Sequence, residues 1–240
     1  MSDYTDYERN AYNSKLFAQR QWHRKRVDET VSALGTASRL LDVGCGSGLL
    51  IERADVQFAI GMDSDKETLI INSKRNFGKK AFFVVADATA LPFKDAAFDA
   101  VASTEVIEHI CDPEGFVKEA ARVLVPSGKA VITTPNYASA WSLVETVWSR
   151  HSDARDYTEC HVSHFTAKKL RILLERNGFA VKSLTSIHSM VMLNGTMEIL
   201  MRPVDHFLAR SGLGMVMICL AEKTANTASA TSDTALKNTA

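Results

Sequence analysis

Four acidic residues, Asp42, Asp63, Asp87 and Glu105, each close a short apolar run, and the first stands just ahead of Gly44-Cys45-Gly46-Ser47-Gly48. If the runs are strands of an open α/β sheet, the carboxylates line its carboxyl edge, where such sheets bind their ligands. A rim of that sign repels a pyrophosphate and suits a ligand bearing positive charge and free hydroxyls. The glycines agree. A dinucleotide loop needs G-x-G-x-x-G, and Leu49 occupies the position of the third glycine. Gly44 and Gly46 let the backbone approach a ligand closely, and Gly48 lets a helix pack tightly on the sheet. Asp42 is placed to hold an ammonium, directly or through water. Asp63, at the end of the next strand, is spaced to accept ribose hydroxyls. Asp87 is placed to accept from the exocyclic amine of a base, with the Ala88 amide facing a ring nitrogen. The competing reading makes these acids helix caps and turn formers. It accounts for Asp63 ahead of Ser64-Asp65, but not readily for four acids together with three alternating glycines.

These residues need a frame of alternating strands and helices. Leu40–Val43, Gln57–Met62, Ala81–Ala86, Phe98–Ser103 and Lys129–Thr133 read as strands, with helical segments near 47–54, 65–76 and 113–124. Nearly continuous apolar strands in such alternation predict a parallel sheet covered on both faces. Residues 1–36 read as an N-terminal helical cap of one or two amphipathic helices, with Tyr12, Leu16, Trp22 and Val27 on its apolar side and Arg20, Arg24, Lys25 and Arg26 on a solvated face. Residues 37–223 form the main domain, with an insertion at 136–165. A helix follows from Thr166 to Arg176, closed by Asn177-Gly178, then strands from Phe179 and from Met215. The tail 224–240 is Ala, Thr, Ser and Asn with little to bury, and reads as disordered.

At these motifs the chain resembles the class I S-adenosylmethionine-dependent methyltransferases. It is most similar to the small-molecule and quinone-biosynthesis group with the methyltransferase type 11 domain. The resemblance runs through Leu41–Gly48, Gly61-Met62-Asp63-Ser64, Ala86-Asp87-Ala88, Leu91-Pro92-Phe93 and Pro126-Ser127-Gly128. It implies a Rossmann-like, doubly wound, seven-stranded and mostly parallel sheet whose last strand is antiparallel, with small helical caps. It also implies S-adenosyl-L-methionine as cofactor, whose sulfonium and ammonium fit the acidic rim. The cofactor set is then Asp42, Gly44, Cys45, Gly46, Gly48, Asp63, Ser64, Asp87, Ala88 and Glu105.

Methyl transfer from a sulfonium is an in-line displacement, and an oxygen nucleophile of high pKa also needs a base. Two segments offer one. Glu105, Glu108 and His109 have the i, i+3, i+4 spacing of one helical face, which could hold a divalent metal that lowers the pKa of a bound hydroxyl. The spacing resembles the Glu-x-x-Glu-His segment of metal-dependent methyltransferases. Alternatively Glu105 touches the cofactor while Glu108 and His109 tie the segment to the lid. His161, in His161-Val162-Ser163-His164-Phe165-Thr166, serves as base or as a lid anchor, and Thr166 caps the helix that follows.

Lys and Arg number 28 against 28 Asp and Glu, so no global charge draws the chain to nucleic acid. Cys45, Cys111, Cys160 and Cys219 show no C-x-x-C spacing and suit a reducing, cytoplasmic setting. No run is long and apolar enough to span a membrane. Tyr137, Trp141 and Trp148 either line an acceptor pocket or pack the insertion. Met190, Met192, Met197, Met201, Met215 and Met217 belong to the core or to an adaptable surface for lipid or a second subunit. The reading is O-methylation of a small or lipid-linked acceptor. The alternatives are C-methylation, RNA 2′-O-methylation and a non-catalytic S-adenosylmethionine-binding partner protein.

Overall fold

The computed structural model describes residues 7–15, 17–78, 80–139, 161–187 and 214–225. Two helices, α1 (Tyr7–Tyr12) and α2 (Phe17–Leu34), precede the sheet. Then follow β1 (Ala37–Val43), α3 (Leu49–Arg53), β2 (Val56–Asp63), α4 (Lys66–Ser73), β3 (Lys80–Val85), β4 (Phe98–Thr104), α5 (Pro113–Val123), β5 (Leu124–Pro135), α6 (Ala167–Arg176), β6 (Phe179–Ile187) and β7 (Val216–Lys223). The sheet has seven strands in the order β3-β2-β1-β4-β5-β7-β6. Strands β1 to β5 pair in parallel, and β7 runs antiparallel between β5 and β6. The antiparallel last strand expected from the family resemblance is present.

Successive strand residues point to opposite faces, so a continuous apolar run serves two cores. Leu41, Val43, Met62 and Val101 pack with Phe116, Val117 and Ala120 of α5 and Leu170 and Leu174 of α6. Leu40, Ala59, Ala100 and Val131 pack on the other face with Leu34 of α2, Leu50 and Ile51 of α3 and Leu69 of α4. Three of the described helices begin with a side-chain cap. Asp65 accepts from the Glu67 amide, and Asp112 accepts from the Gly115 amide ahead of Pro113. Thr166 caps α6 through the Lys169 amide, as its position predicts.

The β3-to-β4 connection, 86–97, contains no helix. Arg122 of α5 holds it instead, donating to the carbonyls of Leu91 at 2.9 Å and Phe93 at 2.7 Å. Trp141, Trp148, Cys160, Met190, Met192, Met197, Met201 and the tail beyond 225 lie outside the described residues. So do most of the insertion and the Met-rich 188–210 stretch. Of the methionines that are described, Met217 is fully buried in β7.

Candidate functional site

The glycine loop leaves β1 with Gly44, Gly46 and Gly48 at φ 70°, 46° and 73°, a region that side chains make costly. At Gly44 a Cβ would run into the Val106 side chain, and at Gly48 it would lie 2.8 Å from Phe77 Cε1. The loop turns back on β2 because the Gly44 and Cys45 amides both donate to the Met62 carbonyl, at 2.7 and 2.9 Å. Asp42 lies beneath it, 1 % exposed and in register with Gly61 and Ala102. Cys45 is buried, its Sγ against the open face of Gly61.

Asp63 and Asp65 divide two roles that the sequence leaves entangled. Asp65 is the N-cap of α4. Asp63 turns to the loop: Oδ2 accepts from the Gly46 amide at 2.9 Å and Oδ1 from the Asp65 amide at 3.0 Å. Each oxygen keeps a lone pair for a ribose hydroxyl. Ser64 beside it is exposed. Asp87 does form a turn, its Oδ1 accepting from the Thr89 amide and hydroxyl at 2.7 Å each. Those bonds, the amide first, hold its carboxyl below the usual carboxylate range. Asp87 is exposed, with Ala88 half-buried next to it.

The expectation of a helical face carrying Glu105, Glu108 and His109 is not met. Glu105 has φ 57° and Val106 φ −126°, and only a single 3₁₀ turn, Ile107–His109, follows. Glu105 in the left-handed region and Val106 outside the helical one take the first two residues out of any α-helix. Glu105 points elsewhere, its Oε2 paired with Arg26 Nη1 at 2.8 Å. This corrects a second expectation. Arg26 does not lie on a solvated face; it is 8 % exposed on a buried polar stripe of α2 with His23 and Thr30. Burial, and then Arg26, push His23 down to about 4. A recurrence of polar residues at positions 23, 26 and 30 is the sequence signal for that stripe.

Glu108 is buried, and burial followed by the charge of Glu105 pushes its carboxyl up to about 8. Its carbonyl accepts from the Val162 and Ser163 amides at 2.9 and 3.0 Å, docking the end of the insertion here. His161 thereby comes within 4.7 Å, ring to ring, of His109. Tyr137, named from sequence only as a pocket or packing residue, has its hydroxyl 2.6 Å from His161 Nδ1, and its ring stacks on His164 at 4.1 Å. The triad of possible metal ligands is therefore Glu108, His109 and His161, whose ligand atoms lie within 4.8 Å of one another. One carboxylate and two imidazoles fit a transition ion better than Mg²⁺, which takes oxygen ligands.

A seven-stranded sheet of this order, with a glycine loop after β1 and acids at successive strand ends, is the arrangement of the class I S-adenosylmethionine-dependent methyltransferases. The chain shares that fold and resembles that class, whose cofactor is S-adenosylmethionine. Residues 41–132 match the family described as the methyltransferase domain. The demethylmenaquinone methyltransferase of Thermus thermophilus is 34% identical over 136 residues, 53% of this chain and 61% of that protein. The ubiquinone biosynthesis O-methyltransferase of Xylella fastidiosa is 32% identical over 130 residues, 52% of each. The chain thus spans less than two thirds of either relative. A solved S-adenosylmethionine-dependent methyltransferase of Mesorhizobium loti shares the fold, with TM-score 0.60 and 19% identity over 83% of this chain and 96% of that one.

Proposed function

We propose that the protein transfers the methyl group of S-adenosylmethionine to an oxygen of a small or lipid-linked acceptor. The observation that carries the reading is the His161–Tyr137 contact of 2.6 Å at the carboxyl edge of the sheet, beside Glu108 and His109. With its Nδ1 proton given to the Tyr137 oxygen, His161 presents the Nε2 lone pair to an acceptor hydroxyl. The hydroxyl proton passes to Nε2 while the O–C bond forms and the S–C bond breaks, and the thioether leaves neutral. Asp42 and Glu105 offset the cofactor's positive charge, Asp63 takes the ribose hydroxyls, and Asp87 with Ala88 takes the adenine edge. Arg26 puts a guanidinium in the same cleft, the complement of the cofactor's carboxylate. The quinone-biosynthesis relatives support an acceptor of that general size and polarity.

A metal is the second reading, favoured by the clustering of Glu108, His109 and His161. A bound ion would lower the pKa of a coordinated hydroxyl. In that case excess chelator abolishes transfer and Zn²⁺ or Mn²⁺ restores it; full turnover in chelator removes the ion from the mechanism.

The deciding experiment incubates the protein with methyl-labelled S-adenosylmethionine and cell extract, with Asp63→Ala as control, and separates lipid, small-molecule, glycan and RNA fractions. Label in the lipid or small-molecule fraction, lost with the variant and released from an ether oxygen on degradation, supports the reading. Label on carbon selects C-methylation, and label in RNA selects the 2′-O alternative. No label despite measured cofactor binding leaves the non-catalytic partner.

A further inference from the structure

We propose that Asn72 of α4 is a positioning residue for the cofactor's ribose acceptor, acting on Asp63 through Gly46. The inference deepens the methyltransferase reading and rests on Asp63 receiving the ribose hydroxyls. Asn72 is fully buried, and a buried amide is tolerated only when its polar atoms are paired. Its pairing is directed at the loop. Nδ2 donates to the Gly46 carbonyl at 2.7 Å, and Oδ1 accepts from Arg75 Nη1 at 2.9 Å. The same Arg75 nitrogen donates to the Ser47 carbonyl at 2.9 Å, and Arg9 of α1 reaches that carbonyl at 3.1 Å.

Gly46 is therefore gripped on both sides, its amide by Asp63 and its carbonyl by Asn72. The grip matters because glycine has no side chain to hold it at a positive φ. The Gly46 amide lies in the Cys45–Gly46 peptide, whose carbonyl accepts from the Gly48 amide at 2.8 Å, and Asn72 fixes the peptide that follows; without the Asn72 bond Gly46 loses its carbonyl-side anchor and its amide orients Asp63 Oδ2 less firmly. The other oxygen of Asp63 is fixed by the Asp65 amide. The plane of the carboxylate thus depends on the amides of Gly46 and Asp65, and Asn72 steadies the first of these residues from its carbonyl side. A residue that merely filled space under α4 would need neither bond.

The test compares the full chain with Asn72→Ala, Asp63→Asn and the double variant. Calorimetry gives the affinity for S-adenosylhomocysteine, and amide hydrogen exchange of residues 44–48 is followed in the cofactor-free protein. Asn72→Ala is expected to bind roughly tenfold more weakly and to exchange faster across the loop, with the sheet core unchanged. In the Asp63→Asn background the Asn72 change should add little, since the two act as a unit. Unchanged affinity, or losses that simply add, overturns the assignment. Should the alanine variant not fold, Asn72→Asp retains the size and the acceptor for Arg75, loses the donor to Gly46, and gives the same readouts. A wild-type chain that does not bind S-adenosylhomocysteine overturns the methyltransferase reading itself, and unchanged exchange in the variant still independently overturns the pinning of the loop.

Discussion

Glu108 and His23 are two buried titratable side chains whose shifts run in opposite directions, and stability should record both. An unfolded Glu108 ionises near 4.5, whereas the folded carboxyl keeps its proton to about 8. Folding therefore loses stability as pH rises through that interval. His23 is neutral in the fold down to about 4 but charges near 6.5 when unfolded. It costs stability as pH falls from 6.5 toward 4. Urea midpoints measured across pH should decline above 6.5 in the wild type and stay level there in Glu108→Gln, while His23→Gln should remove part of the decline on the acid side. Tyr137→Phe removes the hydroxyl that orients His161; kcat should fall roughly tenfold with the cofactor KM unchanged. A KM effect alone would make Tyr137 a packing residue. At this scale the sequence was legible wherever one residue type serves one chemistry. The acids and glycines stand at the strand ends where the spacing puts them, yet which of Asp63 and Asp65 caps α4 needed the fold, because an Asp two residues earlier or later looks equally able to cap. Arg26 and Tyr137 were misread or undervalued for a related reason: their partners, Glu105 and His161, lie 79 and 24 residues away.

The elements follow from period and punctuation, and they fail to follow where the backbone leaves the conformation that the period assumes. α5 shows both working, with Asp112-Pro113 at its start and Phe116, Val117, Ala120 and Ala121 buried along one side. The Glu105–His109 stretch shows the failure, since helical spacing of three polar residues does not reveal that Glu105 takes a positive φ and breaks the helix at its first residue. The 86–97 connection is a third case. Arg122 stands in for a covering helix there, bonding Glu119, Asp95 and two backbone carbonyls, while Glu119 accepts from the Leu91 amide at 2.8 Å. Arg122→Ala leaves the carbonyls of Leu91 and Phe93 without that partner. It should destabilise the protein by about 2–3 kcal/mol, with hydrogen exchange accelerating first in 88–97. A stability loss spread evenly over the sheet would show that the connection does not depend on this side chain.

Across the molecule, the missing helix has a visible cost in exposed apolar surface. β3 is an edge strand among the described ones, with Phe82 56% and Val85 51% exposed, and the Phe82 ring lies 5.6 Å from that of Phe58. Open apolar edges invite association. Phe82→Thr should lower light scattering in concentrated solution and leave cofactor affinity as it was; unchanged scattering would locate any self-association elsewhere. The opposite end of the sheet carries a different consequence, one of timing. Among the described strands β6 bonds to β7 alone, and β7 is the later of the two in the chain. A ribosome has thus made every strand of the parallel half by Pro135, but must reach Lys223 before β5 gains its second neighbour or β6 any neighbour. At about 5–20 residues per second that wait is on the order of ten seconds. Throughout it the nascent chain carries a nearly finished parallel half on one side and an unfinished seam on the other, so a pause or stop before Val216 should leave a chain prone to aggregate rather than a smaller version of the same protein.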